Sequence, residues 1–263
     1  MNIFISFIFY MSSVFAADIH HDFLNIAAKK IEYYWAAPQG NGPFPAIIYI
    51  HDDEIAGGKY YVDNGVLIKG VKSGYVTVAI SQSGFGESSG PSDFSGSGTQ
   101  DSLLAIIDLI KSKPFVSKIV LYGEGRGAIA AGMVASRSKN LSAMVLVSGF
   151  YDIEDAMTQF ELRGQQTYLK KIKDEIGVDS WRFYQRSVLY HSDKIKVPTL
   201  MLNGADDERS VSYHATELAH LLNAINTEAR SVIFPNIGHE IPDSLKEAEI
   251  IPFLKKQLYS KTK

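Results

Sequence analysis

Gly123-Glu124-Gly125-Arg126-Gly127 closes an apolar segment, Lys118 to Tyr122, and opens a run of small residues, Ala128 to Ala135. A chain that turns from strand to helix in so few residues crowds its own backbone. Small residues are then required two places before and two places after the centre. Gly123 and Gly127 meet that requirement around Gly125. Such a turn lifts its central side chain clear of the backbone. It suits a hydroxyl that attacks a carbonyl carbon while a histidine takes its proton and backbone N–H groups hold the oxyanion. Arg126, at the start of the helix, would supply one such N–H. The central residue here is Gly125, so the expected chemistry is acyl transfer with its attacking atom missing. Centring the turn on Glu124 would put Tyr122 and Arg126 at the crowded positions, which rejects Glu124 as a displaced carboxylate nucleophile.

Two later loops supply an acid and a base in the order this chemistry uses: turn, acid, histidine. Leu202-Asn203-Gly204-Ala205-Asp206-Asp207 ends a strand-like run in two carboxylates. Asp207 has the better spacing to orient a histidine, and Asp206 is the alternative. Taken alone, this is an acidic turn that caps the next helix. Phe234-Pro235-Asn236-Ile237-Gly238-His239 places His239 just after the last strand. Asp207, His239 and the Arg126 N–H could polarise a carbonyl or activate a water where the hydroxyl is missing. Ser148 and Ser83 also follow strands, but neither sits on a sharp turn.

The elements that must hold these loops alternate. Ala46–Ile50, Tyr75–Ile80, Lys118–Tyr122, Ala143–Val147, Thr199–Leu202 and Ser231–Phe234 read as strands. Between them lie helical patterns: one capped by Asp63 and closed by Gly74, and one opened by a Ser97–Gln100 capping box with Leu103, Leu104, Ile106, Ile107 and Ile110 on its apolar face. Two more run over about 211–223 and 245–258. This order predicts a mostly parallel sheet with helices on both faces, and sites at the C-terminal strand ends. The helical stretch from about 151 to 191 interrupts the pattern and is expected to form a lid.

Composition narrows the partners. The chain has 263 residues, 46% of them hydrophobic, a net charge of −3 and no cysteine. A slightly acidic chain without basic clusters argues against nucleic acid. No thiolate metal site, thiol nucleophile or disulfide is available. The uncharged run Met1 to Ala16, with Val14 and Ala16 before Ala17, fits a signal-peptidase site. The expectation is an exported protein, periplasmic or secreted, of which residues 17–263 form one domain with no stable membrane span.

With these residues in place, the chain resembles the α/β-hydrolase superfamily, near its prolyl-oligopeptidase-like and dienelactone-hydrolase-like branches. The resemblance runs from about Ile31 to Leu258. It is carried by Ile48-Tyr49-Ile50-His51, Gly84-Phe85-Gly86-Glu87-Ser88-Ser89-Gly90, the sharp turn, Gly204-Ala205-Asp206-Asp207 and Gly238-His239. It implies a serine hydrolase of ester or peptide bonds without metal or organic cofactor, with position 125 as nucleophile, Asp207 as acid and His239 as base. Departures cluster at the site. The strand-end His-Gly that helps form the oxyanion hole reads His51-Asp52-Asp53-Glu54, which puts Asp52 at an oxyanion or substrate position. The Asp-x-Arg-Gly of the family reads Ser81-Gln82-Ser83-Gly84, and the nucleophilic Ser reads Gly125. The peptidase branch usually carries an N-terminal propeller, for which this length leaves no room. The expected ligand is therefore a small ester-like molecule, and the expected activity is impaired.

Overall fold

The computed structural model describes residues 18–26 and 28–259. The expected signal segment, Met1 to Ala16, lies outside them. Among the described residues eight strands form one sheet, in the order β1-β2-β4-β3-β5-β6-β7-β8. The strands are β1 (His20–Ile26), β2 (Lys29–Ala36), β3 (Phe44–Ile50), β4 (Val76–Ile80), β5 (Val116–Glu124), β6 (Ala143–Val147), β7 (Thr199–Gly204) and β8 (Ala229–Phe234). From β4 to β8 neighbouring strands are parallel, while β1 and β2 run antiparallel. The mostly parallel sheet flanked by helices expected from the sequence is therefore present.

The central strands read as continuous apolar runs because both faces are covered. Ile48, Ile50, Leu121, Met144 and Leu146 turn to one face. There they meet α3 (Ser97–Lys111), α4 (Arg126–Ala135) and α8 (Tyr213–Ala224). Ile47, Tyr49, Val120 and Val145 turn to the other. They meet α1 (Lys59–Asp63), α2 (Val66–Lys72) and α9 (Asp243–Tyr259). The stretch after β6 folds as α5 (Ile153–Leu162), α6 (Gln166–Ile176), α7 (Ser180–Tyr184) and a 3-10 turn, Val188–Lys194. Its apolar side, including Phe160, Leu169 and Ile172, is buried in the first core.

Two local expectations are corrected. Asp63 caps no helix: it ends α1, and α2 starts anew after Gly65, whose φ is 70°. The Ser97–Gln100 capping box does not form either. Gly96 is the N-cap of α3 and makes no side-chain cap. The Asp93 carboxylate accepts the Thr99 N–H instead, at 3.0 Å, because the preceding loop folds back over the helix start. The β1–β2 hairpin had no sequence signal, since β1 is almost entirely exposed and mostly polar.

Candidate active site

Four strand ends build the site. Asp52 follows β3, Gly125 follows β5, Asp207 follows β7 and His239 follows β8. Strands β3 and β5 are direct neighbours, with Ile50 opposite Gly123. The loops of 52 and 125 therefore emerge side by side at the C-terminal edge of the sheet.

Gly125 sits in a sharp strand–helix turn with φ 52° and ψ −118°, a backbone state that a side chain strains. A Cβ at Gly123 would overlap the Gly127 carbonyl, and one at Gly127 would overlap the Ile50 carbonyl. Backbone approach therefore selects glycine on both sides of the turn. At Gly125 the obstacle is different. A Cβ there would overlap the carboxylate of Asp52.

Asp52 points inward. Its Oδ1 accepts the Arg126 N–H at 2.8 Å, at the N-terminus of α4, where the backbone dipoles favour negative charge. Its Oδ2 lies 3.3 Å from His239 Nε2. On the far side of the ring, Nδ1 meets both oxygens of Asp207, at 3.0 and 2.9 Å. Asp207 is fixed by Arg209 N–H at 2.8 Å, Ser210 N–H at 3.0 Å and the Ser210 hydroxyl at 2.8 Å. Asp206 is exposed, and its N–H donates to the Ile237 carbonyl. The imidazole is thus held between two carboxylates.

That arrangement sets the protonation states. Burial disfavours charge on His239, but the hydrogen bonds and charges of Asp207 and Asp52 outweigh it and raise the imidazole to about 9. Asp52 shows the reciprocal effect. Burial pushes its pKa up, yet the His239 contact and the Arg126 N–H hold it below the ordinary carboxylate value. At neutral pH Asp52 and His239 therefore form a carboxylate–imidazolium pair. Glu54 also lines the cleft, and burial with the nearby acids pushes it up to about 7.

The folded-state pKa of His239 is above its unfolded value, so its contribution is complete below about pH 6.5 and is lost as pH rises towards about 9. The loss across that window is about 2–3 kcal/mol. Urea unfolding at pH 6, 7.5 and 9 measures it. Asp52→Asn should flatten the slope, and an unchanged slope would refute the ion pair.

The other candidates fall elsewhere. The Ser148 hydroxyl donates to the His239 carbonyl at 2.7 Å, which positions the His239 backbone. Ser83 is buried beside Thr99, whose hydroxyl accepts its N–H. Glu124 turns away from Arg126 and accepts from Tyr61, Tyr122 and Lys246 at 3.1, 2.9 and 3.2 Å. The three carboxylates after β3 diverge: Asp52 faces the turn, Asp53 binds the Arg126 guanidinium at 2.8 Å, and Glu54 edges the cleft. His21, Glu32 and Glu87 bring ligand-type atoms within 4.8 Å of one another. Glu32 is already occupied there by the Tyr34 and Ser81 hydroxyls and the Glu87 N–H.

The Arg126 side chain was not read as functional from sequence. It is 1% exposed and lies between the rings of Phe85 and Phe94, 4.9 and 4.7 Å from their centroids. Beyond Asp53 it reaches Glu175 on α6 at 2.6 Å, and Lys171 of α6 pairs with Asp53 at 2.8 Å. One residue therefore presents its N–H to Asp52 and its side chain to the helical insertion. The cleft left beside Asp52, Gly125, Ser148 and His239 measures about 50 Å³.

The fold matches that of known proteins. A model of the prolyl oligopeptidase family aligns with residues 71–260. The chain belongs to the prolyl oligopeptidase family. Within sequence relatives, it is 29% identical over 121 residues to the acylamino-acid-releasing enzyme of Arabidopsis thaliana, covering 46% of this chain and 15% of that protein. It is 22% identical over 225 residues to the uncharacterized peptidase YuxL of Bacillus subtilis (strain 168), covering 78% of this chain and 32% of that one. The chain spans under a third of either relative. The Pyrococcus furiosus esterase Pf2001 superposes with a TM-score of 0.73 at 17% identity, covering 92% of each chain. A Pyrococcus horikoshii acylaminoacyl peptidase superposes with 0.74 at 15% identity, over 95% of this chain and 43% of that one. At these identities the likeness is one of fold: the α/β-hydrolase architecture of esterases and acylaminoacyl peptidases.

Proposed function

We propose that Gly125 stands at the nucleophile position of this family, and that the chain is an esterase-like homologue whose acyl chemistry is blocked. One observation carries the reading. The Asp52 carboxylate fills the volume above Gly125, so that one of its oxygens takes the Arg126 N–H and the other faces His239. In a serine hydrolase those two partners serve the oxyanion of the tetrahedral intermediate and the attacking hydroxyl. Here one negatively charged group occupies both, and an incoming carbonyl oxygen finds its donor taken and a carboxylate beside it.

Asp207 and His239 keep the relay, but His239 is already protonated at neutral pH and cannot take a proton from water. The same charges therefore oppose the alternative of water-mediated acyl hydrolysis. What remains is a small acidic cleft for an ester-like molecule, with no cofactor called for. The test is direct. At pH 7 the protein should turn over short p-nitrophenyl esters at no more than about 10³-fold above buffer, and a fluorophosphonate probe should label no serine. Rapid turnover with a labelled serine would overturn the proposal.

A further inference from the structure

A larger cavity, of about 380 Å³, lies on the face of the sheet turned away from α4. We propose that it binds a neutral, planar aromatic molecule that presents a hydroxyl or carbonyl oxygen to the Tyr49 hydroxyl. Tyr60, Glu124 and Lys246 form its border with the cleft beside Gly125, since they line both. The inference stands apart from the reading of that cleft.

The cavity follows from how the helices share the sheet. On this face α2 packs on β2 and β4, and α9 packs on β6 and β7. Gly70 lets α2 sit low, because a Cβ there would overlap the Thr77 side chain of β4. The two strands between, β3 and β5, are left beneath a gap. Tyr49 and Tyr122 rise from them at paired positions. Their ring centroids are 5.2 Å apart, and Tyr61 of α1 lies 5.2 Å from Tyr49 on its other side. The three rings are tilted against one another by 40° and 55°, so they form an aromatic wall and not a closed stack. Tyr60 and Tyr75 extend it, and Ile250 and Leu254 of α9 face in from the side.

The polar groups of this wall are satisfied at all but one of its inner tyrosines. The Tyr61 hydroxyl meets the Ile50 carbonyl and Glu124, at 3.2 and 3.1 Å. The Tyr122 hydroxyl donates to Glu124 at 2.9 Å. Tyr49 is 8% exposed and lines the cavity, yet its hydroxyl has no hydrogen-bond partner among the described residues. Buried hydroxyls ordinarily have one. Burial also raises this phenol far above neutral pH, so it stays protonated and can both donate and accept.

Charge and shape then select the occupant. Every charged side chain on the wall has an opposite partner. Glu124 pairs with Lys246 at 3.2 Å, Lys246 with Asp243 at 3.1 Å, and Lys69 with Glu247. A charged ligand would lose its water and find no free counter-charge, which favours a neutral one. Tyrosine rings reward another ring by stacked or edge contacts, whereas a flexible alkyl chain gains no such contacts and loses rotamer freedom. The volume lies within the range of small-molecule sites.

The experiment titrates the full chain at pH 7 with 2-naphthol, naphthalene and octanol. Apolar transfer alone favours naphthalene over its hydroxylated analogue. Wild type should nonetheless bind 2-naphthol saturably and about 5-fold more tightly than naphthalene, as one added hydrogen bond gives. Tyr49→Phe should reverse that order and leave naphthalene bound. Ile250→Trp, which places an indole in the cavity, should weaken 2-naphthol at least 10-fold. The proposal is overturned if 2-naphthol shows no saturable binding, if naphthalene binds as well as 2-naphthol, or if octanol does. Those three readouts need wild type alone, so a variant that fails to fold does not spare the idea. An order unchanged in a folded Tyr49→Phe, or affinity unchanged in a folded Ile250→Trp, also overturns it by placing the ligand elsewhere.

Discussion

Gly125→Ser alone is expected to stay inactive, while Asp52→Gly with Gly125→Ser is expected to hydrolyse p-nitrophenyl butyrate at least about 10³-fold faster than either single variant. The reason is spatial before it is chemical. A Cβ at 125 runs into the Asp52 carboxylate, so the single variant must displace a charged group from its contacts with Arg126 and His239. Removing Asp52 alone frees the cleft and the N–H but supplies no attacking oxygen. Together the changes admit the hydroxyl, free the Arg126 N–H, and leave His239 beside Asp207 only, which lowers its pKa towards the range of a base. The readout is kcat/KM with fluorophosphonate labelling of Ser at 125. Equal activity of the double and single variants would show that the oxyanion site or the ester pocket is missing as well.

Glu175→Leu is the second large effect. Arg126 is fully buried, and Glu175 is its main charged partner on the insertion. Breaking a buried pair from one side leaves an uncompensated charge, at a cost of about 3–5 kcal/mol. The lower end is expected because Asp53 remains at 2.8 Å. For a domain of this size that lowers Tm by roughly 6–12 °C. Arg126→Met with Glu175→Leu should recover much of the loss, since no unpaired charge stays behind. Hydrogen exchange should rise in α5 and α6 in Glu175→Leu and not in the core strands. A Tm within 1 °C of wild type would show that the insertion is held by its apolar contacts alone.

How much of this could be read beforehand differs by residue. The central strands were legible because burial on both faces makes them continuous apolar runs, and the turn was legible because Gly123 and Gly127 answer a backbone constraint that acts locally. The convergence of Asp207 and His239 has a sequence cue in their order after successive strands. The direction of Asp52 has none. His51-Asp52-Asp53-Glu54 contains three carboxylates, and only folding decides that the first faces the helix N-terminus, the second the guanidinium and the third the cleft. The state of His239 depends on that choice. The Arg126–Glu175 link joins residues 49 apart through a buried contact that no local pattern announces. β1 was missed because its partner, not its own pattern, makes it a strand.

The overlap between position 125 and residue 52 also limits the routes this chain can take under mutation. With aspartate at 52, every side chain larger than hydrogen at 125 meets the same obstacle, so a working hydroxyl there is not one step away. Replacing the aspartate first is unobstructed but leaves the helix start without its acceptor. Each of the two residues thus constrains what the other can become, and descendants of this chain should drift in their outer loops sooner than at these two positions.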